Sequence, residues 1–116
     1  MRKIIIDSRA SKDIDAFKGY ERLWITQIIN ILEDESNSLE YIQQKFKPLQ
    51  GKLKGYRKAK HRGFGLRIVF RLLNEQEILI IINHDDKEKR EIIEFLAIGK
   101  REEIYDIAKH RLRNKK

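Results

Sequence analysis

Between Tyr56 and Leu73 the chain adopts a two-residue period, which a β-hairpin satisfies and a helix does not. Tyr56 to Arg62 reads as one strand, Gly63-Phe64 as a tight turn, and Leu66 to Leu73 as the returning strand. A two-residue loop with glycine first fits a type II′ turn, which pairs Arg62 with Gly65, Lys60 with Arg67 and Lys58 with Val69. Opposed residues share a face, and successive residues alternate between faces. Lys58, Lys60, Arg67 and Arg71 therefore fall on one face, with Leu66, Ile68, Phe70 and Leu72 on the other. The apolar face calls for helices to cover it. The cationic face repels itself, and a bound polyanion is the natural compensation.

Charge along the chain supports that reading. Lys and Arg total 26 against 18 Asp and Glu, a net +8. Residues 1–44 carry 6 basic and 8 acidic side chains, residues 45–74 carry 10 and none, and residues 75–116 carry 10 of each. The whole excess therefore sits in one strand-forming stretch, a pattern suited to phosphate-rich nucleic acid. A basic amphipathic helix for a membrane surface would look different.

The rest of the chain reads as helices, flanking strands and turns. Residues 3–7 are β-branched and form a short strand, after which Ser8 or Ser11 offers an N-cap with Asp13 and Asp15 in a first turn. Tyr20 to Glu35 carries Leu23, Trp24, Ile28, Ile31 and Leu32 at helical spacing, with Trp24 read as core. Asn37 to Phe46 is a short helix, and 47–51 a turn. Ile78 to His84 is apolar enough to be a central third strand, Ile92 to Gly99 a fourth, and Lys100 to Arg113 a closing helix. The expected fold is α+β in one domain, 1–116: strand, helical hairpin, antiparallel meander, C-terminal helix, with the helices on one sheet.

Composition narrows the chemistry. Without cysteine there are no disulfides, thiolate metal sites or thiol nucleophiles. His61, His84 and His110 are scattered over a strand, a loop and a helix, so no metal is expected. Gly63-Phe64-Gly65 opens no helix and is not a phosphate loop, so no small-molecule cofactor is expected either. The longest apolar run, Ile78 to Ile82, is far short of the roughly 18 residues that span a bilayer. With no secretory leader evident at the start, the expected location is the cytoplasm.

An ordered set of segments resembles the RelE/ParE superfamily of type II toxins. It comprises the opening strand and helix pair, 47–55 (Lys-Pro-Leu-Gln-Gly-Lys-Leu-Lys-Gly), Tyr56 to Lys60, Leu66 to Phe70, and Ala97 to Tyr105. RNA-cleaving members of the RelE branch carry two strand lysines, a strand arginine, an arginine after the last strand and a tyrosine on the terminal helix. The resemblance places these on Lys58, Lys60, Arg67, Arg101 and Tyr105. It implies a ribosome-dependent endoribonuclease acting on messenger in the A site, in contact with ribosomal RNA. A cognate antitoxin would lay an acidic or amphipathic segment over the basic face or displace the terminal helix. The ParE branch shares the fold and inhibits DNA gyrase without catalysis; that alternative, and a degenerate RNA-binding member, stay open. The Arg101–Tyr105 spacing is shorter than in the RelE pattern, and 37–46 and 75–91 add segments.

The chemistry of metal-free RNA cleavage suits these residue types. The 2′-hydroxyl attacks its own phosphate, and charge develops on the non-bridging oxygens and the leaving 5′-oxygen. Arg67 can clamp the phosphate bidentately, and Arg101 can stabilise the leaving oxygen. Lys58 or Lys60, or a Tyr105 whose pKa neighbouring cations lower, could take the proton. Lys52, Lys54, Arg57, Arg62, Arg71 and Lys100 would add RNA-binding charge.

Overall fold

A computed structural model of the chain describes residues 2–73 and 91–113. Five strands form one sheet: β1 (Lys3–Ile6), β2 (Lys47–Pro48), β3 (Arg57–His61), β4 (Leu66–Leu72) and β5 (Ile92–Lys100), in the order β1-β5-β4-β3-β2. All neighbours are antiparallel except β1 and β5, which run parallel, so the sheet is mixed. The strand expected at 78–84 lies outside the described residues. The strands it was expected to separate, β4 and β5, pair directly with each other. β5 lies inside the sheet between β1 and β4, and Ile92 to Ile98 are buried throughout, as a strand covered on both faces requires.

Helix boundaries follow local chemistry. α1 (Ser8–Asp15) is capped by Asp7, not by Ser8 or Ser11, because its carboxylate accepts from the Arg9 backbone N–H at 2.8 Å. Asp13 and Asp15 consequently lie in the last turn rather than the first. Gly19, at φ 62°, starts α2 (Gly19–Glu33), and Ser38 caps α3 (Leu39–Lys45) through the Tyr41 N–H. A 3-10 turn (Gly51–Leu53) leads into β3, and α4 (Glu103–Arg113) closes the described chain. Arg2, 2% exposed, donates to the carbonyls of Leu32, Asp34 and Asn37 and so satisfies the end of α2.

The helices occupy both faces of the sheet, which corrects the one-sided arrangement read from sequence. On one face Ala10, Ile14, Ile25, Ile28, Leu32 and Ile42 of α1–α3 pack on Ile68, Phe70, Ile93, Phe95 and Ile98. On the other, Ile104 and Ala108 of α4 pack on Leu53, Tyr56, Val69, Leu96 and Ala97. A bulge makes the second core possible. Val69 pairs with Ala97 but Phe70 pairs with Phe95, so Leu96 is the extra residue and β5 presents both Leu96 and Ala97 to α4. Gly99 completes the seat: a Cβ there would come within 2.8 Å of Ile104 Cδ1. Each fully buried aliphatic or Phe side chain in these cores contributes roughly 1.5–3 kcal/mol of transfer free energy.

The hairpin keeps its expected register and changes its turn. Lys60 pairs with Arg67 and Lys58 with Val69. The last strand pair is His61 with Leu66, so the loop has four residues, closed by the Gly65 N–H on the Arg62 carbonyl at 3.3 Å. The left-handed conformation sits on Gly65 (φ 68°) and not on Gly63, which rules out the type II′ turn. Loops of two and four residues consume one residue per strand in exchange, so the pairing is unchanged.

Candidate functional site

The hairpin loop and the β5–α4 junction meet at one oxygen. The Gly65 carbonyl accepts from Arg67 Nη1 at 2.8 Å and from the Arg101 backbone N–H at 3.0 Å. Because β4 and β5 are adjacent, with Arg67 opposite Gly99, residues distant in sequence are brought to the same end of the sheet. Arg101 itself stands at φ 64°, uncommon for a residue with a side chain. Its N–H bond to Gly65 and its carbonyl, which accepts from the Ile104 N–H at 3.4 Å, hold it there as α4 begins. The Arg101 side chain is exposed, whereas Arg67 is only 8% exposed. Arg67 Nε is buried without a hydrogen-bond partner among the described residues. A buried guanidinium with an unused donor is suited to receiving an anionic oxygen.

Tyr105, in the first turns of α4, lies against this pair. Arg67 Cζ is 5.8 Å and Lys58 Nζ 5.9 Å from the centre of its ring, so two cations flank one aromatic face system. Burial of the phenol raises its pKa above the ordinary value near 10. The Arg67 charge and hydrogen bond pull it back only in part, and Glu102 pushes it further up. The expectation of a lowered tyrosine pKa is therefore overturned, because α4 docks the ring into the second core instead of leaving it among cations in water. At neutral pH Tyr105 is a proton donor.

Lys60, exposed and paired opposite Arg67, shares the face with Lys58. β2 covers only Arg57 and Lys58 of β3, and beyond it runs a groove with Lys45, Lys47, Lys58, Lys60 and Arg62 over Trp24 and Phe46. The remaining sequence candidates divide. Lys52 and Lys54 are exposed at the 3-10 turn beside α4, and Arg62 is exposed on the hairpin loop. Three others are engaged within the fold. Arg57 Nη1 donates to the carbonyls of Gln43 (2.8 Å) and Phe46 (2.9 Å) at the end of α3. Arg71 Nε lies 3.2 Å from Glu94 Oε1, with its guanidinium 5.6 Å from the Tyr56 ring, and Lys100 Nζ lies 2.7 Å from Glu21 Oε2. All three side chains are thus engaged by carbonyls or carboxylates of the fold.

One component escaped the sequence reading: the Gly65 carbonyl, because a backbone oxygen leaves no mark in composition. The glycine itself was the available signal. Among the described residues no helix is long and apolar enough to cross a membrane.

The mixed sheet, with α1–α3 on one face and a terminal helix seated on a cationic hairpin on the other, is the α+β architecture of a class of solved toxins. It is the RelE-like toxin fold. The chain aligns with a double mutant of Escherichia coli toxin RelE in the free state at a TM-score of 0.62, with 21% identity, over 96% of this chain and 97% of that one. The toxin–antitoxin complex RelBE2 from Mycobacterium tuberculosis aligns at 0.55, with 13% identity, over 86% and 91%. The intact E. coli RelBE complex gives 0.51, with 20% identity, over 88% and 99%. The sequence matches no protein-family model and no curated protein.

Proposed function

We propose that this chain is the toxin of a toxin–antitoxin pair, a single domain that cuts messenger RNA in the ribosomal A site of the cytoplasm without a metal. The observation that carries the reading is the anchoring of Arg67 and Arg101 to one carbonyl oxygen, beside Lys58 and Tyr105. Arg67, preorganised by Gly65, binds the non-bridging oxygens where negative charge develops, and Arg101 reaches the leaving 5′-oxygen from the exposed side. Tyr105, held as a phenol, donates to the phosphate or to the leaving oxygen. Removal of the 2′-hydroxyl proton then falls to Lys58 or Lys60. The cationic groove along β3 holds the flanking strand and ribosomal RNA electrostatically. The ribosome supplies the alignment of the messenger that an open face cannot. The partner that silences the site is an antitoxin covering the basic face or dislodging α4; the RelB-bound neighbours support this expectation.

Primer extension on messenger from cells briefly expressing the protein tests the reading. Discrete cuts within translated regions are expected, and their loss in Arg67→Ala, with a rate deficit of about a hundredfold to a thousandfold. Intact messenger accompanied by DNA damage and filamentation would overturn it in favour of gyrase inhibition.

A further inference from the structure

His61 ends β3, and its imidazole is turned back onto the loop that follows. Nδ1 accepts the Phe64 backbone N–H at 3.1 Å, and the ring lies parallel to that of Phe64, 4.3 Å between centres with 17° between planes. Trp24 of α2 meets the other side edge-on at 5.6 Å. The imidazole thus acts as a side-chain cap for the Arg62–Gly65 loop. It accepts a loop N–H that would otherwise have to be met by water. One residue beyond Phe64 is Gly65, whose carbonyl holds Arg67 Nη1 and the Arg101 N–H. One hydrogen bond, the Phe64–Gly65 peptide and two hydrogen bonds to the Gly65 carbonyl therefore connect His61 to the Arg67 side chain and the Arg101 backbone.

We propose that His61 is a positioning residue of the site: its unprotonated Nδ1 sets the loop conformation that aims the Gly65 carbonyl, and through it Arg67 and Arg101. The proposal rests on the nuclease reading for its consequence and on the loop geometry for its cause. Only a nitrogen with a free lone pair can accept the Phe64 N–H, so the Nε2–H tautomer is required and the imidazolium is excluded.

Two substitutions in the full chain separate the acceptor from the packing. His61→Leu fills the space between Trp24 and Phe64 without an acceptor, whereas His61→Asn keeps an oxygen where Nδ1 stands. Amide hydrogen exchange reads the loop directly. In His61→Leu the Arg101 amide should lose about five- to tenfold of its protection, the worth of one hydrogen bond, while His61→Asn retains it. Long-range imidazole nitrogen spectra of the wild type should report the Nε2–H tautomer. On programmed ribosomes, the single-turnover cleavage rate should fall in His61→Leu with ribosome affinity unchanged and recover in His61→Asn. Equal protection of the Arg101 amide in all three proteins, or an Nδ1–H tautomer, overturns the positioning role whatever the cleavage assay gives. A wild type that cuts no RNA while the exchange pattern holds refutes the nuclease reading alone.

Discussion

Breaking the clamp between Asp13 and Arg111 tests how firmly α4, and with it Tyr105, is held to the sheet. The Asp13 carboxylate accepts from Arg111 Nη1 at 2.6 Å, from Nη2 at 3.0 Å and from the Ile98 backbone N–H at 3.0 Å, and Arg111 Nη1 also reaches the Leu96 carbonyl at 3.1 Å. The two side chains are 19% and 13% exposed. Asp13→Ala leaves a half-enclosed guanidinium and a strand amide without their acceptor. Breaking a fully buried pair from one side costs about 3–5 kcal/mol, and partial access of water brings this to about 2–3 kcal/mol. For a chain of this size that lowers Tm by roughly 10 °C. Urea unfolding of the wild type, Asp13→Ala, Arg111→Met and the double variant gives the coupling directly. We expect the pair to be worth at least about 1.5 kcal/mol, because removing the second partner relieves the orphan left by the first. A loss below about 0.5 kcal/mol for Asp13→Ala, or strict additivity, would show that the clamp does not hold α4.

Three further outcomes follow from the geometry. Arg101→Gly suits the left-handed backbone at that position, so stability should hold while cleavage falls about a hundredfold to a thousandfold; a parallel loss of Tm would assign the residue to folding instead. The raised pKa of Tyr105 means that the folded state keeps the phenolic proton more tightly than the unfolded chain does. The associated stability is complete below about pH 10 and is lost as pH rises through the folded value, so Tyr105→Phe should flatten the alkaline limb of a pH–stability curve. The Arg9 side chain holds the Asp7 carboxyl below its ordinary pKa, so its contribution is present above the unfolded value and disappears as pH falls through the folded one. Asp7→Ala should cost about 1 kcal/mol near neutrality and show a shallower acid limb; an unchanged acid limb would argue against the cap.

What the sequence disclosed depended on how locally each feature is determined. The alternation of Lys58 and Lys60 with Ala59, and of Arg67 with Ile68, specifies the two faces within a few residues, and the pairing of Lys60 with Arg67 followed from it. The turn chemistry did not, since two- and four-residue loops give that pairing equally and only the structure places the left-handed residue at Gly65. The parallel pairing of Lys3–Ile6 with residues near the far end of the chain has no local signature at all. Nor does the bulge at Leu96, because a run such as Ile92 to Ile98 is apolar enough to face either way. That unread bulge is why α4 was expected with the other helices. The raised pKa of Tyr105 had no sequence signal either, because it depends on how deeply α4 buries the ring.

The placement of β5 between β1 and β4 has a consequence for the order in which the molecule comes into being. β5 separates β1 from β4, so the earliest strand made has no partner until residues 92–95 have emerged. The hairpin can form on its own from contacts close in sequence, but the closure of the sheet waits for pairings that span most of the chain. Arg101 and Tyr105 follow directly behind β5. A chain still being synthesised therefore carries Lys58 and Arg67 on an exposed hairpin without the residues that complete the constellation. The site is absent from every nascent intermediate and arises in one late step, when the final strand inserts and the last helix folds down upon it.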